Sequence, residues 1–186
     1  AIRDPLMPEL EQGLSDGEFR LLAWADVGWA YWFTRKPMYR PAELKRMRHF
    51  SWAGDYASEK LWRKGGFQPV PLASVDVLIS LQTGVIDAFS TTPLVALSFQ
   101  WFTSTPNMLD LKWGPIIGGL IISERTWSKL PIEYHTILER ISKEMETEAR
   151  ALVPEMNEAL RVMVENGLTI HQPSAEDREA WEELTV

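Results

Sequence analysis

The stretch between residues 47 and 89 alternates strand-like and helix-like segments, and this order limits the fold more than any other feature of the chain. Short apolar runs bounded by Gly and Pro predict strands, and apolar residues at helical spacing between them predict helices. The predicted strands are Met47–Trp52, Gln68–Leu72 and Val85–Phe89; the predicted helices are Asp55–Lys64 and a segment capped by Ser74 and ended by a left-handed Gly84. Strand–helix–strand, twice in succession, is typical of an α/β sheet.

Long strands and a long helix flank this stretch. The aromatic-rich run FRLLAWADVGWAYWFT at residues 19–34 predicts one long strand or two, and GPIIGGLII at residues 114–122 predicts another. A helix is predicted from Pro131 to Asn166, with a kink at Pro154 because proline has no N–H to donate. Its Ile, Met and Leu residues recur at helical spacing and are interpreted as core. The sequence therefore predicts an α/β fold, with a mixed sheet flanked by helices and a long kinked C-terminal helix.

Charge and composition argue against several classes of function. The net charge of −7 provides no basic stripe to neutralise phosphates, so no nucleic-acid partner is expected. The chain has no Cys, and its three His are scattered in no ligand spacing, so no metal site is predicted. Phosphate-binding Gly-rich loops, G-x-S-x-G and HExxH motifs do not occur in the sequence. We therefore expect no cofactor and no enzymatic activity.

Aromatic residues are the unusual part of the composition, because nine Trp exceed what the core of a chain of this size needs. Several lie at predicted strand ends or in the loops that follow them: Trp29, Trp32, Phe50, Trp52, Phe89, Trp101 and Trp113. In an open α/β sheet, ligands bind in the crevice beyond the carboxyl ends of the strands. These rings are therefore candidates for a ligand site, and packing in the core is the alternative for each of them.

Four linked motifs in this region carry a resemblance to a known family. They are Lys36-Pro37, Pro41-Ala-Glu-Leu-Lys45, Gly66-Phe-Gln-Pro-Val-Pro71 and Leu81-Gln-Thr-Gly-Val-Ile-Asp87. In order and spacing they resemble the segments "kPi-tp-DLKGlkiRv" and "Ga-ptp-p-sEvy-ALqtGvvDG" of the periplasmic solute-binding proteins of TRAP transporters (DctP-type). The resemblance extends from about Glu11 to the end of the chain.

This resemblance implies a periplasmic-binding-protein-like lobe, a periplasmic location, and delivery of a small-molecule ligand to TRAP membrane subunits by secondary transport. Family members have two α/β lobes, and this chain corresponds to roughly the second half. The expected segments are a lead-in helix and lobe-spanning strand (1–34), an α/β ligand-binding lobe (35–113), and a crossing strand, long helix and C-terminal segment (114–186). We expect a truncated chain or a naturally reduced relative, in which a homodimer could cover the place of the missing lobe.

The resemblance also suggests an unusual ligand. The family arginine that clamps a carboxylate aligns with Phe50, and a second arginine aligns with Ala30. Neither side chain can form a bidentate bond to a carboxylate. We therefore predict a neutral or apolar ligand, held by aromatic faces and by hydroxyls following Phe89. The predicted ligand-binding residues are Trp29, Trp32, Phe50, Trp52, Phe89, Thr91, Thr92 and Trp113.

Another interpretation stays open at this point. A truncated or reduced homologue could act as a protein–protein interaction module without binding a ligand, and missing arginines and a missing lobe would suit that function too. An enzyme on an α/β scaffold ranks third, since it would require a converging acid–base or metal set.

Overall fold

A computed structural model describes residues 6–151 and 155–185 of the chain. Its strands are β1 (Phe19–Thr34), β2 (Arg48–Trp52), β3 (Gln68–Leu72), β4 (Ala88–Thr91), β5 (Asn107–Ser123) and β6 (Thr169–His171). Its α-helices are α1 (Met7–Asp16), α2 (Pro41–Leu44), α3 (Tyr56–Lys64), α4 (Val77–Gln82), α5 (Pro93–Ser98), α6 (Glu124–Trp127), α7 (Ile132–Ala151), α8 (Glu155–Glu165) and α9 (Ala175–Glu182). Single 3-10 turns lie at Ser74–Asp76, Trp101–Ser104 and Glu183–Thr185.

The strands of the described chain form one mixed sheet in the order β3-β2-β4-β1-β5-β6. Strand β2 is parallel to both β3 and β4, β6 is parallel to β5, and β1 is antiparallel to β4. Parallel neighbours need crossover connections, which α3 and α4 supply. The predicted α/β fold with a mixed sheet and flanking helices is confirmed.

The chain divides into two compact units, one comprising residues 1–28 and 115–155 and the other residues 29–114 and 156–186. In the first unit, the buried Trp127 of α6 is held between two side chains. The His135 ring stacks on its indole, with centroids 4.1 Å apart, and the Arg20 guanidinium carbon lies 4.8 Å from the same ring centroid. These contacts attach α6 to the first turns of α7 and to β1.

The long C-terminal helix differs from the prediction. Two helices, α7 and α8, occupy the predicted range, and the kink expected at Pro154 lies outside the described residues. Met163 on α8 is fully buried, as the core interpretation requires. Ile137, Ile141 and Met145 on α7 are instead exposed, so their interpretation as core is wrong for the described unit. Helical spacing identifies a shared helix face, but it does not show whether that face is covered.

The turn at Gly84 is as predicted, while the strand that follows it begins later. Gly84 has a φ of +75°, which a residue without Cβ adopts readily. The backbone N–H groups of Val85 and Ile86 both donate to the Ser80 carbonyl, which wraps the chain around the end of α4. Strand β4 therefore starts at Ala88 rather than at the predicted Val85.

The second unit has a hydrophobic cluster on each face of its sheet. Side chains alternate between the faces along a strand, so neighbouring residues of β1 enter different clusters. Phe33 belongs to the first cluster, with Phe50, Phe89, Trp101 and Met108 among its members. Trp32 belongs to the second, with Met38, Phe67, Leu109 and Trp181 among its members. Strands buried on both faces are expected in a sheet covered by helices.

Candidate functional site

The strand register places residues of four strands in rows across the sheet. Phe33 lies opposite Phe89, and Tyr31 lies opposite Thr91, on the antiparallel pair β1 and β4. His49 of β2 lies beside Ala88 of β4 in a parallel pair, so Phe50 is level with Phe89, and Trp52 with Thr91.

Strand β5 extends the rows on the other side of β1. The Asn107 amide donates to the carbonyls of Arg35 and Thr34 at the end of β1, and the Lys112 ammonium lies over the Trp29 ring. The two strands therefore run in opposite directions, and Asp110 lies close enough to Tyr31 for its charge to act on the phenol.

The inner row consists of Phe50, Phe89, Phe33 and Met108, all buried. The Phe33 and Phe89 rings stack with centroids 5.0 Å apart, and Trp101 meets Phe89 edge-on at 5.4 Å. This row is the centre of the first hydrophobic cluster. The row stabilises the fold by burying apolar area, which contributes about 1.5–3 kcal/mol for each large side chain.

The next row toward the carboxyl ends of β2 and β4 is of a different character, and we call it the edge row: Trp52, Thr91, Tyr31 and Asp110. Trp52 is 58% exposed, whereas Tyr31 and Asp110 are half-buried. The hydroxyls of Thr91 and Tyr31 have no hydrogen-bond partner among the described residues, and Asp110 accepts from the Gln172 amide at 2.7 Å. The edge row therefore combines an exposed indole with two hydroxyls that have no partner in the described chain, one on the half-buried Tyr31 and one on Thr91, which is 6% exposed.

The phenol of Tyr31 stays a hydrogen-bond donor. Burial is the main cause that raises its pKa, and the negative charge of Asp110 raises the pKa further. At neutral pH the hydroxyl is protonated and can donate one hydrogen bond while accepting others.

One residue pair lies beyond the edge row on the same face. The Lys112 ammonium is 5.8 Å from the centroid of the Trp29 ring, within the range of a cation–π interaction. Lys112 is exposed, and within the described chain its ammonium contacts the Trp29 ring and forms no ion pair.

The structure separates the eight predicted ligand-binding residues into groups. Trp52 and Thr91 lie in the edge row, Trp29 lies beyond it, and Phe50 and Phe89 lie in the buried inner row. Thr92 is fully buried, and its Oγ1 caps α5 by accepting from the Val95 N–H at 3.5 Å. Trp32 and Trp113 belong to the cluster on the opposite face.

The residues that the sequence analysis missed are Tyr31, Asp110 and Lys112. Tyr31 lies within the aromatic run, between two residues that face the other side of the sheet. Asp110 and Lys112 lie in the part of β5 that precedes the predicted strand at residue 114. The period-2 alternation of β1 could have grouped Tyr31 with Trp29 and Phe33.

The opposite face holds a buried histidine in an aromatic cage. The His49 ring lies 4.8 Å from Trp62 and 5.6 Å from Trp32 between centroids, and it is fully buried. Neither of its ring nitrogens has a partner in the described chain, and burial lowers its pKa to about 4. The imidazole is therefore neutral at pH 7 and acts as part of the core.

Within residues 6–151 and 155–185, no group of three or more His, Cys, Asp or Glu side chains is placed to hold a metal ion. Among their helices, none is both long enough and apolar enough to cross a membrane.

The chain is similar to proteins of known type over most of its length. It is 31% identical to the C4-dicarboxylate-binding periplasmic protein DctP of Rhodobacter capsulatus over 121 residues, which are 64% of this chain and 36% of that protein. Its fold matches a TRAP periplasmic solute-binding protein of Actinobacillus succinogenes with bound L-galactonate, at a TM-score of 0.85 and 21% identity, over 100% of this chain and 61% of the other. It also matches one from Shewanella oneidensis with bound succinate, at a TM-score of 0.87 and 18% identity, over 95% and 58% of the two chains.

The chain thus spans less than two thirds of the length of each of these proteins. The family called DctP, bacterial extracellular solute-binding protein family 7, matches residues 3–185. The family and the similar structures are binding proteins rather than enzymes. The chain belongs to the DctP family of bacterial extracellular solute-binding proteins.

Proposed function

We propose that this chain is part of a solute-binding protein that captures a small organic ligand at the edge row for a TRAP-type transporter. The observation that carries the proposal is the edge row itself. An exposed indole and two hydroxyls without partners in the described chain converge at the carboxyl ends of the parallel strands β2 and β4. This is the part of an α/β sheet where ligands bind, and membership of the DctP family supports the same function.

The chemistry of the site favours a ligand with no net charge. Phe50, at the place of the family arginine, packs 4.9 Å from Trp52 and 5.9 Å from Trp101 between ring centroids. Ala30, which aligns with the second arginine, is buried and lies on the opposite face of the sheet, with Trp32. With no guanidinium at Phe50, a dicarboxylate would lose a bidentate partner at this site. Aromatic faces with hydroxyl donors suit a neutral or largely apolar ligand instead.

The setting of this function is the bacterial cell envelope. We propose a periplasmic location and delivery of the ligand to the membrane subunits of the transporter, in keeping with the family. The net charge of −7 supports the absence of a nucleic-acid partner. A homodimer stays a prediction, which analytical ultracentrifugation would test.

A calorimetric titration tests the proposal with three probes: succinate, L-galactonate and the uncharged 3-phenylpropan-1-ol. We expect heat of binding for the uncharged probe, weak or no binding of the two acids, and a weaker response in Thr91→Val. Tight binding of succinate alone would overturn the ligand class but leave solute capture intact. Binding of no probe would favour the alternative function, a protein–protein interaction module.

A further inference from the structure

The outer part of the site carries two opposite charges that do not bind each other. Asp110 and Lys112 are two positions apart on β5, so their side chains leave the same face of the sheet about 7 Å apart. No ion pair joins them within the described chain. Each charged side chain contacts a different neighbour instead.

The Asp110 and Lys112 side chains contact residues in or just after the two strands that flank β5. Gln172, which follows β6, donates to Asp110 Oδ2 at 2.7 Å, and this bond leaves the second carboxylate oxygen available. The Trp29 ring, on β1, lies under the Lys112 ammonium at 5.8 Å. A cation–π contact orients an ammonium without neutralising its charge, so Lys112 keeps its N–H donors for an anion.

Asp110 also belongs to the edge row, which links the charges to the ligand site. It lies beside Tyr31, whose hydroxyl is a free donor in the described chain and faces the same side as Thr91. A ligand that lies over Thr91 and Tyr31 therefore reaches the Asp110 carboxylate and, next to it on β5, the Lys112 ammonium.

We infer that the site selects a small zwitterion, whose ammonium group binds Asp110 and whose carboxylate binds Lys112. This inference rests on the proposed function and deepens it, because a zwitterion has no net charge. It also gives a carboxylate a partner in a site where Phe50 stands at the place of the family arginine. A lysine ammonium is a compact charge, whereas an arginine guanidinium binds both oxygens of a carboxylate at once. One lysine therefore suits a ligand whose carboxylate needs a single cationic partner.

Matched series of probes test the inference by calorimetry at pH 7. One series is L-phenylalanine, 3-phenylpropanoate, phenethylamine and 3-phenylpropan-1-ol; the other is 4-aminobutanoate, butanoate, butylamine and butan-1-ol. In at least one series we expect the zwitterion to bind about tenfold or more tightly than each other member, the effect of one charge-assisted hydrogen bond.

Single substitutions assign the two charges. Lys112→Met should weaken the zwitterion to the level of the amine of its series, and Asp110→Asn should weaken it to the level of the carboxylate. Lys60→Met is the matched control, since Lys60 is an exposed lysine on α3, and it should leave affinity unchanged. Circular dichroism of each variant separates a loss of binding from a loss of fold.

The outcomes are distinct. Equal affinity for the zwitterion and the uncharged member in both series, or unchanged affinity of the best-bound zwitterion in Lys112→Met, would overturn the inference. If only the uncharged probes bind, the inference fails while the proposed function stands. If no probe of either series binds, the proposed function fails with it.

Discussion

The ring of Phe33 lies almost flat against the ring of Phe89, with centroids 5.0 Å apart and planes inclined by 9°. The two residues are directly opposite each other on β1 and β4. The next pair on the same face, Tyr31 and Thr91, has no such contact and carries hydroxyls instead. The boundary between the core and the proposed ligand site therefore falls between two neighbouring residue pairs on one face of the sheet.

Phe89→Ala should destabilise the protein by about 3–5 kcal/mol, because it removes a fully buried ring and leaves a cavity beside Phe33. Urea denaturation followed by circular dichroism would measure this loss. Phe99→Ala is the control: Phe99 stacks on Trp101 but is 54% exposed, and its loss should cost less than about 1 kcal/mol. Equal costs for the two substitutions would contradict the assignment of Phe89 to the core.

Thr91→Val and Tyr31→Phe should weaken ligand binding while leaving stability nearly unchanged. Each substitution keeps the shape of the side chain and removes one hydroxyl that has no partner in the described chain. The loss of a single hydrogen bond to the ligand corresponds to about two- to tenfold in Kd. Titration with the best-bound probe measures this change, and unaltered affinity in both variants would remove the edge row from the site.

Stability should fall as the pH is lowered from 6.5 toward 4, because of His49. Its folded-state pKa of about 4 lies below its ordinary value of 6.5, so in this range the unfolded chain binds a proton that the folded chain does not. The stabilisation is complete above pH 6.5 and decreases as the pH falls through this window, by about 3 kcal/mol at most.

His49→Leu should make this pH dependence weaker, since Leu carries no titratable group. Urea midpoints of both proteins at pH 7 and pH 4.5 give the comparison. The same loss of stability in both proteins would show that other groups cause it.

Gly84→Ala should cost about 1–2 kcal/mol through the backbone alone. Gly84 has a φ of +75°, and an added Cβ would meet no atom within 4 Å, so strain of the left-handed conformation is the whole cost. Gly84→Asn should cost less, because Asn tolerates this conformation better. The thermal midpoints of the two variants measure the difference, and equal midpoints would count against the strain.

The strand–helix alternation of the second unit could be read from local sequence. Strand β3 has the predicted bounds, Gln68–Leu72, because a glycine pair precedes it and a turn follows. The start of β5 could not be read in this way. The Asp110 carboxylate, within β5, accepts a hydrogen bond from Gln172, a residue 62 positions away. No local sequence pattern shows such a partner.

The proposed ligand site could be predicted only in part from the sequence, for a related reason. Trp32 and Phe33 are consecutive aromatic residues, and both are buried because helices cover both faces of the sheet. Alternation shows which residues of β1 share a face, but not which row of that face emerges at the edge. The strand register determines which row lies at the edge, and register depends on pairing between segments that are distant in the sequence.

The cluster on the opposite face has an optical consequence. Trp32, Trp62, Trp113 and Trp181 lie in contacts whose ring centroids are 5.0 to 6.5 Å apart. Indoles at this separation exchange excitation energy, so the emission of each ring depends on the other three. Trp52 and Trp29 lie on the other side of the sheet, so a ligand that contacts them changes only part of the total emission.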